Sequence, residues 1–239
     1  MSYPDGSLQK YFDDHSWWEK TTEKNPLIGR LIWAFIPHVD VIPKSLISTG
    51  RAEDEASNHS KASYEIADLR IKSHFQKNTL PAAILPYYPD ECYTVHRSKK
   101  RPALIIADGG VEVPKQLRSS MKPSWQTNPT MLAAPYYGVL KNGTSKWYEP
   151  FVDRIKKCEY PQYLWDTLPV SSSETKSSIL RFDHIQPIGK HADSYELTDY
   201  TLKEAVVDFF LKEWLCWLTT GEMDVDSILY DIRRDFLSL

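Results

Sequence analysis

Residues 99–107 read KKRPALIIA, so a cluster of positive charge leads directly into a proline and then into a short apolar run. Proline fixes its own φ and disfavours the helical region for the residue before it, so Arg101 is expected in extended backbone. The apolar run has the composition of a strand that is covered on both faces. The sequence therefore predicts an arginine at the rim of a core, where it either meets an anion or is simply a solvated strand end.

Apolar and polar side chains alternate over residues 178–188. If the whole segment is a strand, Arg181 and Asp183 share one face and His184 lies on the opposite, buried face. A surface ion pair of this kind contributes ~0.2–1 kcal/mol, which is its simplest interpretation. The simplest interpretation of His184 is a hydrogen-bonded core histidine.

The order of these segments along the chain resembles that of the MazF/PemK (Kid) family of toxin ribonucleases. In that family a glycine-led strand, here GRLIWAFIP at 29–37, precedes an Arg-Pro-Ala-Leu strand, a further strand, and an Arg-x-Asp strand that leads to a closing helix. Within this resemblance residues 160–168 correspond to the strand before a variable loop, 171–178 to that loop, and 200–218 to the final helix.

The resemblance implies an α+β fold that is mainly β, with an SH3-like small β-barrel closed by a C-terminal helix and a long, partly helical insertion. We expect a single elaborated domain over residues 1–239. Its expected parts are an accessory N-terminal segment (1–28), the barrel with its closing helix (29–37 and 99–218), the insertion (38–98) and a C-terminal helical extension (219–239). In the accessory segment, Tyr11, Phe12, Trp17 and Trp18 are expected to pack onto the barrel or onto a partner.

Local patterns predict further elements. Apolar spacing in 52–75 is compatible with a helix over its second half, and Gly109-Gly110 predicts a turn. Thr201 with Glu204 forms a capping-box pattern that predicts the start of the closing helix. The remaining predictions are a strand at 92–96, a hairpin of 136–140 with 145–148, and a short helix in 224–239.

The resemblance also implies roles for individual residues. Arg181 and Asp183 match the family's Arg-x-Asp pair, with Asp183 as candidate base and Arg181 as candidate acid or phosphate contact. Arg101 matches the arginine that acts at the scissile phosphate. The candidate substrate contacts are His96, Lys99 and Lys100, with Tyr136 and Tyr137 as surfaces on which unstacked bases rest.

These roles imply metal-independent cleavage of single-stranded RNA, in which the ribose 2′-hydroxyl attacks the adjacent phosphorus. A catalytically inactive barrel that binds nucleic acid or a protein is the alternative, and a structural or regulatory adaptor is a third possibility. Expected partners are RNA, a second copy of the chain in a homodimer, and an antitoxin protein.

Composition limits these interpretations. The 239 residues carry a formal net charge of −3, so RNA binding must rely on local basic patches at 96–101 and 154–157. Three widely spaced cysteines do not form a metal-binding or disulfide pattern. No apolar run approaches ~20 residues, and the start of the chain lacks a signal-peptide pattern. We expect a cytoplasmic protein that has no cofactor, no metal and no membrane partner.

Overall fold

The computed structural model describes residues 3–12, 16–51, 62–70, 91–111, 113–117, 129–141, 144–170 and 176–237. The strands are β1 (Trp18–Lys20), β2 (Arg30–Pro37), β3 (Lys44–Arg51), β4 (Ala62–Asp68), β5 (Tyr93–Val95), β6 (Ser98–Ala107), β7 (Thr130–Gly138), β8 (Leu140–Lys141), β9 (Thr144–Ser145), β10 (Tyr163–Leu168), β11 (Lys176–Arg181), β12 (Gln186–Gly189) and β13 (Tyr195–Leu202). The helices are α1 (Leu8–Phe12), α2 (Glu149–Lys156), α3 (Lys212–Thr220) and α4 (Ile228–Leu237). Short 3₁₀ turns cover Lys115–Leu117 and Phe182–His184, and a π-helical stretch over Val206–Leu211 leads into α3.

The chain forms two compact units, residues 1–35 with 100–239, and residues 36–99. The first unit contains an eight-stranded sheet in the order β1-β13-β2-β6-β7-β11-β10, with β12 also paired to β7. Within the described residues the two end strands of this sheet, β1 and β10, do not pair with each other. The predicted class, mainly β with helices, is confirmed, and the sheets are antiparallel. The division into barrel, insertion and extensions stays a prediction.

Strand β6 is the central element that the sequence predicts. Its four residues from Ala103 to Ile106 are all buried, so side chains on both faces of the strand are covered. The strand ends at Ala107, and Gly109 and Gly110 follow with φ of 83° and 80°. These positive φ values are the reason that the turn needs glycine.

The N-terminal segment contributes to the same core. Trp17 and Trp18 are 1% and 6% exposed, and the Trp17 ring centroid lies 4.6 Å from that of Phe210. The predicted packing of the two tryptophans is therefore confirmed, and it is packing within this chain. The side chains of Tyr11 and Phe12 lie outside the described residues.

The predicted start of the closing helix is wrong. Thr201 belongs to β13 and lies between Glu19 on β1 and Arg30 on β2, so it is part of the sheet and does not start a helix. Helical backbone begins only at Glu204. Gly221, with φ 78°, caps the end of α3 in the left-handed conformation.

The second unit is not helical where the sequence predicts a helix. Strand β4 pairs along its whole length with β3, which also pairs with β5, giving a three-stranded sheet. Tyr64 and Ile66, which contribute to the apolar spacing in 52–75, are residue types that favour strands once a partner strand is present. The rest of the predicted helix, residues 71–75, lies outside the described residues, whereas the predicted strand at 92–96 is confirmed as β5.

The predicted hairpin is confirmed in position, but it is shorter than predicted. It consists of β8 paired with β9. The turn residues 142–143 lie outside the described part. The predicted C-terminal helix is confirmed as α4, with Leu229 and Ile232 buried. The loop predicted at 171–178 lies partly outside the described residues, and β11 begins at Lys176. None of the helices in the described ranges is long and apolar enough to cross a membrane.

Candidate functional site

Arg101 and Tyr137 lie across from each other on neighbouring strands of the first unit. β6 and β7 are antiparallel, with Ala103 opposite Pro135, and continuing this register places Arg101 opposite Tyr137. The Arg101 Cζ atom lies 4.0 Å from the centroid of the Tyr137 ring, which is cation–π geometry. The strand pairing therefore fixes the guanidinium over an aromatic face.

Arg181 reaches the same ring from the other neighbour of β7. Strand β11 pairs with β7, with Ile179 opposite Tyr137, so Arg181 lies two residues further along the same face. Its Cζ atom is 5.5 Å from the Tyr137 ring centroid and 5.1 Å from that of Tyr163 on β10. Two arginines that are 80 positions apart in the chain thus approach one aromatic side chain.

Asp183 holds the Arg181 guanidinium in a bidentate pair. Arg181 Nε donates to Asp183 Oδ1 at 2.7 Å, and Nη2 donates to Oδ2 at 2.5 Å. The two side chains are 18% and 33% exposed. Two parallel charge-assisted hydrogen bonds fix the plane of the guanidinium as well as its position.

His184 completes this cluster, and the prediction that it lies in the core is wrong. Strand β11 ends at Arg181, and the 3₁₀ turn that follows brings His184 back beside Arg181 instead of placing it on the opposite face. Its Nε2 lies 2.8 Å from Arg181 Nη2, and its Nδ1 lies 2.8 Å from the Tyr137 hydroxyl oxygen. The side chain is half-buried.

We call the five residues Arg101, Tyr137, Arg181, Asp183 and His184 the arginine-tyrosine cluster. Within it, partial burial lowers the pKa of Arg101 below its usual value, whereas the bonds to Asp183 raise the pKa of Arg181. Arginine normally titrates above pH ~12, so both guanidinium groups remain charged. The Nε atom of Arg101 is buried and has no hydrogen-bond partner within the described ranges.

Tyr136 was predicted as a substrate contact, but the structure places it in the core. It is 2% exposed, and its hydroxyl donates to the buried carboxylate of Asp166 at 3.1 Å. Successive strand residues point to opposite faces, so the neighbour of the half-buried Tyr137 faces the core. A base cannot stack on Tyr136.

The predicted basic contacts are not all in one unit. Lys100 belongs to the first unit, where its Nζ bonds to Glu196 Oε2 at 2.6 Å and lies 6.0 Å from the Trp33 ring centroid. His96 and Lys99 are exposed residues of the second unit. In the other basic patch, Arg154 is paired with Glu159, and Lys156 bonds to Asp153 at 3.1 Å. These ion pairs reduce the positive charge that the patches offer to an anion.

Sequence reasoning missed the contacts of His184 and Tyr163. The signal for His184 was Pro187 three residues later, which disfavours an uninterrupted central strand. Tyr163 carries no local signal, because its contact with Arg181 follows from the β10–β11 register. Among the described residues, no group of three or more His, Cys, Asp or Glu side chains is arranged to hold a metal ion.

Comparisons with protein-family models, with curated proteins and with solved structures found no match to this chain.

Proposed function

We propose that this protein is a divergent MazF/PemK-like endoribonuclease that cleaves single-stranded RNA without a metal ion. The observation that carries the proposal is the meeting of Arg101 and Arg181 at the Tyr137 ring, with Asp183 and His184 beside them. The fold that goes with this proposal is the SH3-like barrel of that family, built from the eight-stranded sheet.

Cleavage of RNA by its own 2′-hydroxyl creates extra negative charge on the phosphate in the transition state. Two fixed guanidinium groups suit that charge, because each offers paired donors and stays protonated. The raised pKa of Arg181 makes it a poor proton donor, so of its two candidate roles the phosphate contact is the one we propose.

A carboxylate or an imidazole then has to move protons, and the cluster contains one of each. Tyr137 contributes by stacking under Arg101, which leaves its ring less open to a base than the sequence predicted. Selection among RNA sequences is proposed to come from other aromatic and basic groups around the cluster. A homodimer and an antitoxin partner are part of the proposal through the resemblance alone.

The first test is cleavage of a mixed-sequence RNA by the purified protein in EDTA. We expect wild type to cleave, and Arg101→Ala and Asp183→Ala each to lose a factor on the order of 10² to 10⁴ in rate. Arg234→Ala and Asp231→Ala are matched controls, because these residues form an exposed ion pair on α4 and should leave the rate unchanged. Cleavage by wild type that none of the cluster variants impairs rules out this site.

The alternative function is an inactive barrel that binds nucleic acid or a protein. The bidentate pair of Arg181 with Asp183 favours it, because a guanidinium that is already satisfied has less need of a phosphate. RNA binding by wild type without cleavage at any pH between 5 and 9 would support this alternative. A small acidic-tailed reading frame directly upstream in the genome would instead support a toxin.

A further inference from the structure

Building on the proposed function, we propose that His184 is the general base that removes the proton from the ribose 2′-hydroxyl. Asp183 is then a positioning residue that holds Arg181, and it does not itself take the proton. The contacts of the imidazole carry this assignment.

The hydrogen bonds of His184 fix its tautomer. A guanidinium only donates, so the 2.8 Å contact of Arg181 Nη2 with His184 Nε2 requires a lone pair on Nε2. A neutral imidazole has one N–H, which must then lie on Nδ1 and donate to the Tyr137 hydroxyl oxygen at 2.8 Å. The structure therefore holds the imidazole with its basic nitrogen towards the arginine.

The carboxylate of Asp183 is already bonded to Arg181. Both of its carboxylate oxygens accept from Arg181, from Nε at 2.7 Å and from Nη2 at 2.5 Å. The same Nη2 group is shared with His184 Nε2, so an incoming phosphate that draws Nη2 towards itself frees the imidazole lone pair beside it. Arg181 Nη2 therefore couples the binding of the phosphate to the release of the His184 Nε2 lone pair.

Among the described residues, the charged and titratable groups of the cluster and of its surroundings come from four strands or their ends. Arg181 and Asp183 lie at the end of β11, Tyr137 on β7, Arg101 on β6 and Tyr163 on β10. Of these, Arg181 and Tyr137 make the contacts to the ring nitrogens. In the proposed complex, the two tyrosines hold Arg181 in place, and Arg101 contacts the scissile phosphate of the RNA.

In the proposed step, His184 Nε2 takes the proton of the 2′-hydroxyl while O2′ forms a bond to phosphorus. The bond from phosphorus to the 5′-oxygen breaks, and its electron pair stays on that oxygen, which takes a proton from water. The resulting hydroxide is neutralised by the proton on His184. The products are a 2′,3′-cyclic phosphate, a free 5′-hydroxyl and the original neutral imidazole.

The test is the single-turnover rate of His184→Gln on mixed-sequence RNA, because glutamine can replace both hydrogen bonds but cannot titrate. We expect the rate to fall by a factor on the order of 10² to 10⁴, and the low-pH limb of the rate profile to disappear. Binding of a 2′-O-methyl RNA of the same sequence should be unchanged. In His184→Ala, added imidazole should restore part of the rate.

His191→Gln is the matched control, because His191 is exposed and lies beside Gly189, outside the cluster. If wild type and His191→Gln cleave RNA and His184→Gln cleaves within about threefold of them, the general-base assignment is overturned while the proposed function stands. If wild type does not cleave at all, both fall. A nitrogen-15 spectrum that shows the proton on Nε2 in place of Nδ1 also overturns the assignment, without any reference to cleavage.

Discussion

Asp166 is expected to make the stability of this protein fall as the pH rises towards neutrality. The side chain, on β10, is 1% exposed. It accepts hydrogen bonds from Trp18 Nε1 at 3.2 Å, the Tyr136 hydroxyl at 3.1 Å, the Tyr3 hydroxyl at 3.4 Å and the Thr167 amide at 2.7 Å. Burial nevertheless dominates these bonds and raises the pKa of Asp166 to about 7. The same carboxylate therefore ties the N-terminal segment to the sheet and carries a pH-dependent cost.

The sign and size follow from linkage. An aspartate in an unfolded chain titrates near ~3.9, so the native state binds this proton more tightly than the unfolded state does. The contribution of Asp166 to the free energy of unfolding should accordingly be greatest below pH ~4 and decline through pH ~7, because the native state carries the extra proton over that interval. Each unit of difference between the native and the unfolded pKa of Asp166 corresponds to ~1.4 kcal/mol. The total contribution of Asp166 is therefore about 4 kcal/mol.

The assay is urea unfolding of wild type and Asp166→Asn, followed by tryptophan fluorescence at pH values from 4.5 to 8. At low pH the variant should be less stable by ~1–3 kcal/mol, because its amide must point an N–H group at either the Thr167 amide or the Trp18 ring nitrogen. As the pH rises this difference should shrink and then reverse, since only wild type buries a charge. Other groups titrate in both proteins, so a difference that stays constant across the range refutes the reasoning.

Three further substitutions test the packing at the glycine turn and the role of Tyr136. Gly109→Ala should be less stable than Gly110→Ala by ~1–3 kcal/mol in urea unfolding, because both glycines have positive φ but only a Cβ at Gly109 would lie 1.8 Å from the Thr130 carbonyl oxygen. Equal losses in the two variants would contradict the steric account. Tyr136→Phe should lower the free energy of unfolding by ~1–2 kcal/mol and leave RNA binding unchanged, because the ring is buried and its hydroxyl bonds to a carboxylate in the core. Weaker RNA binding by this variant, at a temperature where it is fully folded, would restore Tyr136 as a substrate contact.

Strong local signals were sufficient for part of the fold. Pro102 and the apolar run after it predicted β6 and placed Arg101 at its rim, and the structure has this strand from Ser98 to Ala107. The glycine pair predicted the turn that follows. Helix α4 was predictable because its apolar residues recur at helical spacing, which depends on the chain alone. Helix α2 was not predicted, although Pro150 in its first turn is a typical start signal.

Other elements depend on what lies beside them. A capping-box pattern at Thr201 was overridden because Thr201 lies in β13, which pairs with a strand on each side. Strand β4 carries apolar spacing that is compatible with a helix, but pairing with β3 determines its conformation. Hydrogen bonds between strands are formed with residues far away in sequence, so local propensity does not contain them.

The candidate site, too, was predictable from the sequence only in part. By itself the sequence identified Arg101, Arg181 and Asp183 as candidate residues, through the order of its motifs and their resemblance to a known family, and it did not identify His184. Only the tertiary structure decided that Arg101 and Arg181 meet at Tyr137, that Tyr136 is buried, and that a 3₁₀ turn returns His184 to Arg181. The physical reason is register: which residues lie opposite each other on β6, β7 and β11 is set by the packing of the whole sheet, and a shift of one residue would place every one of these side chains on the other face.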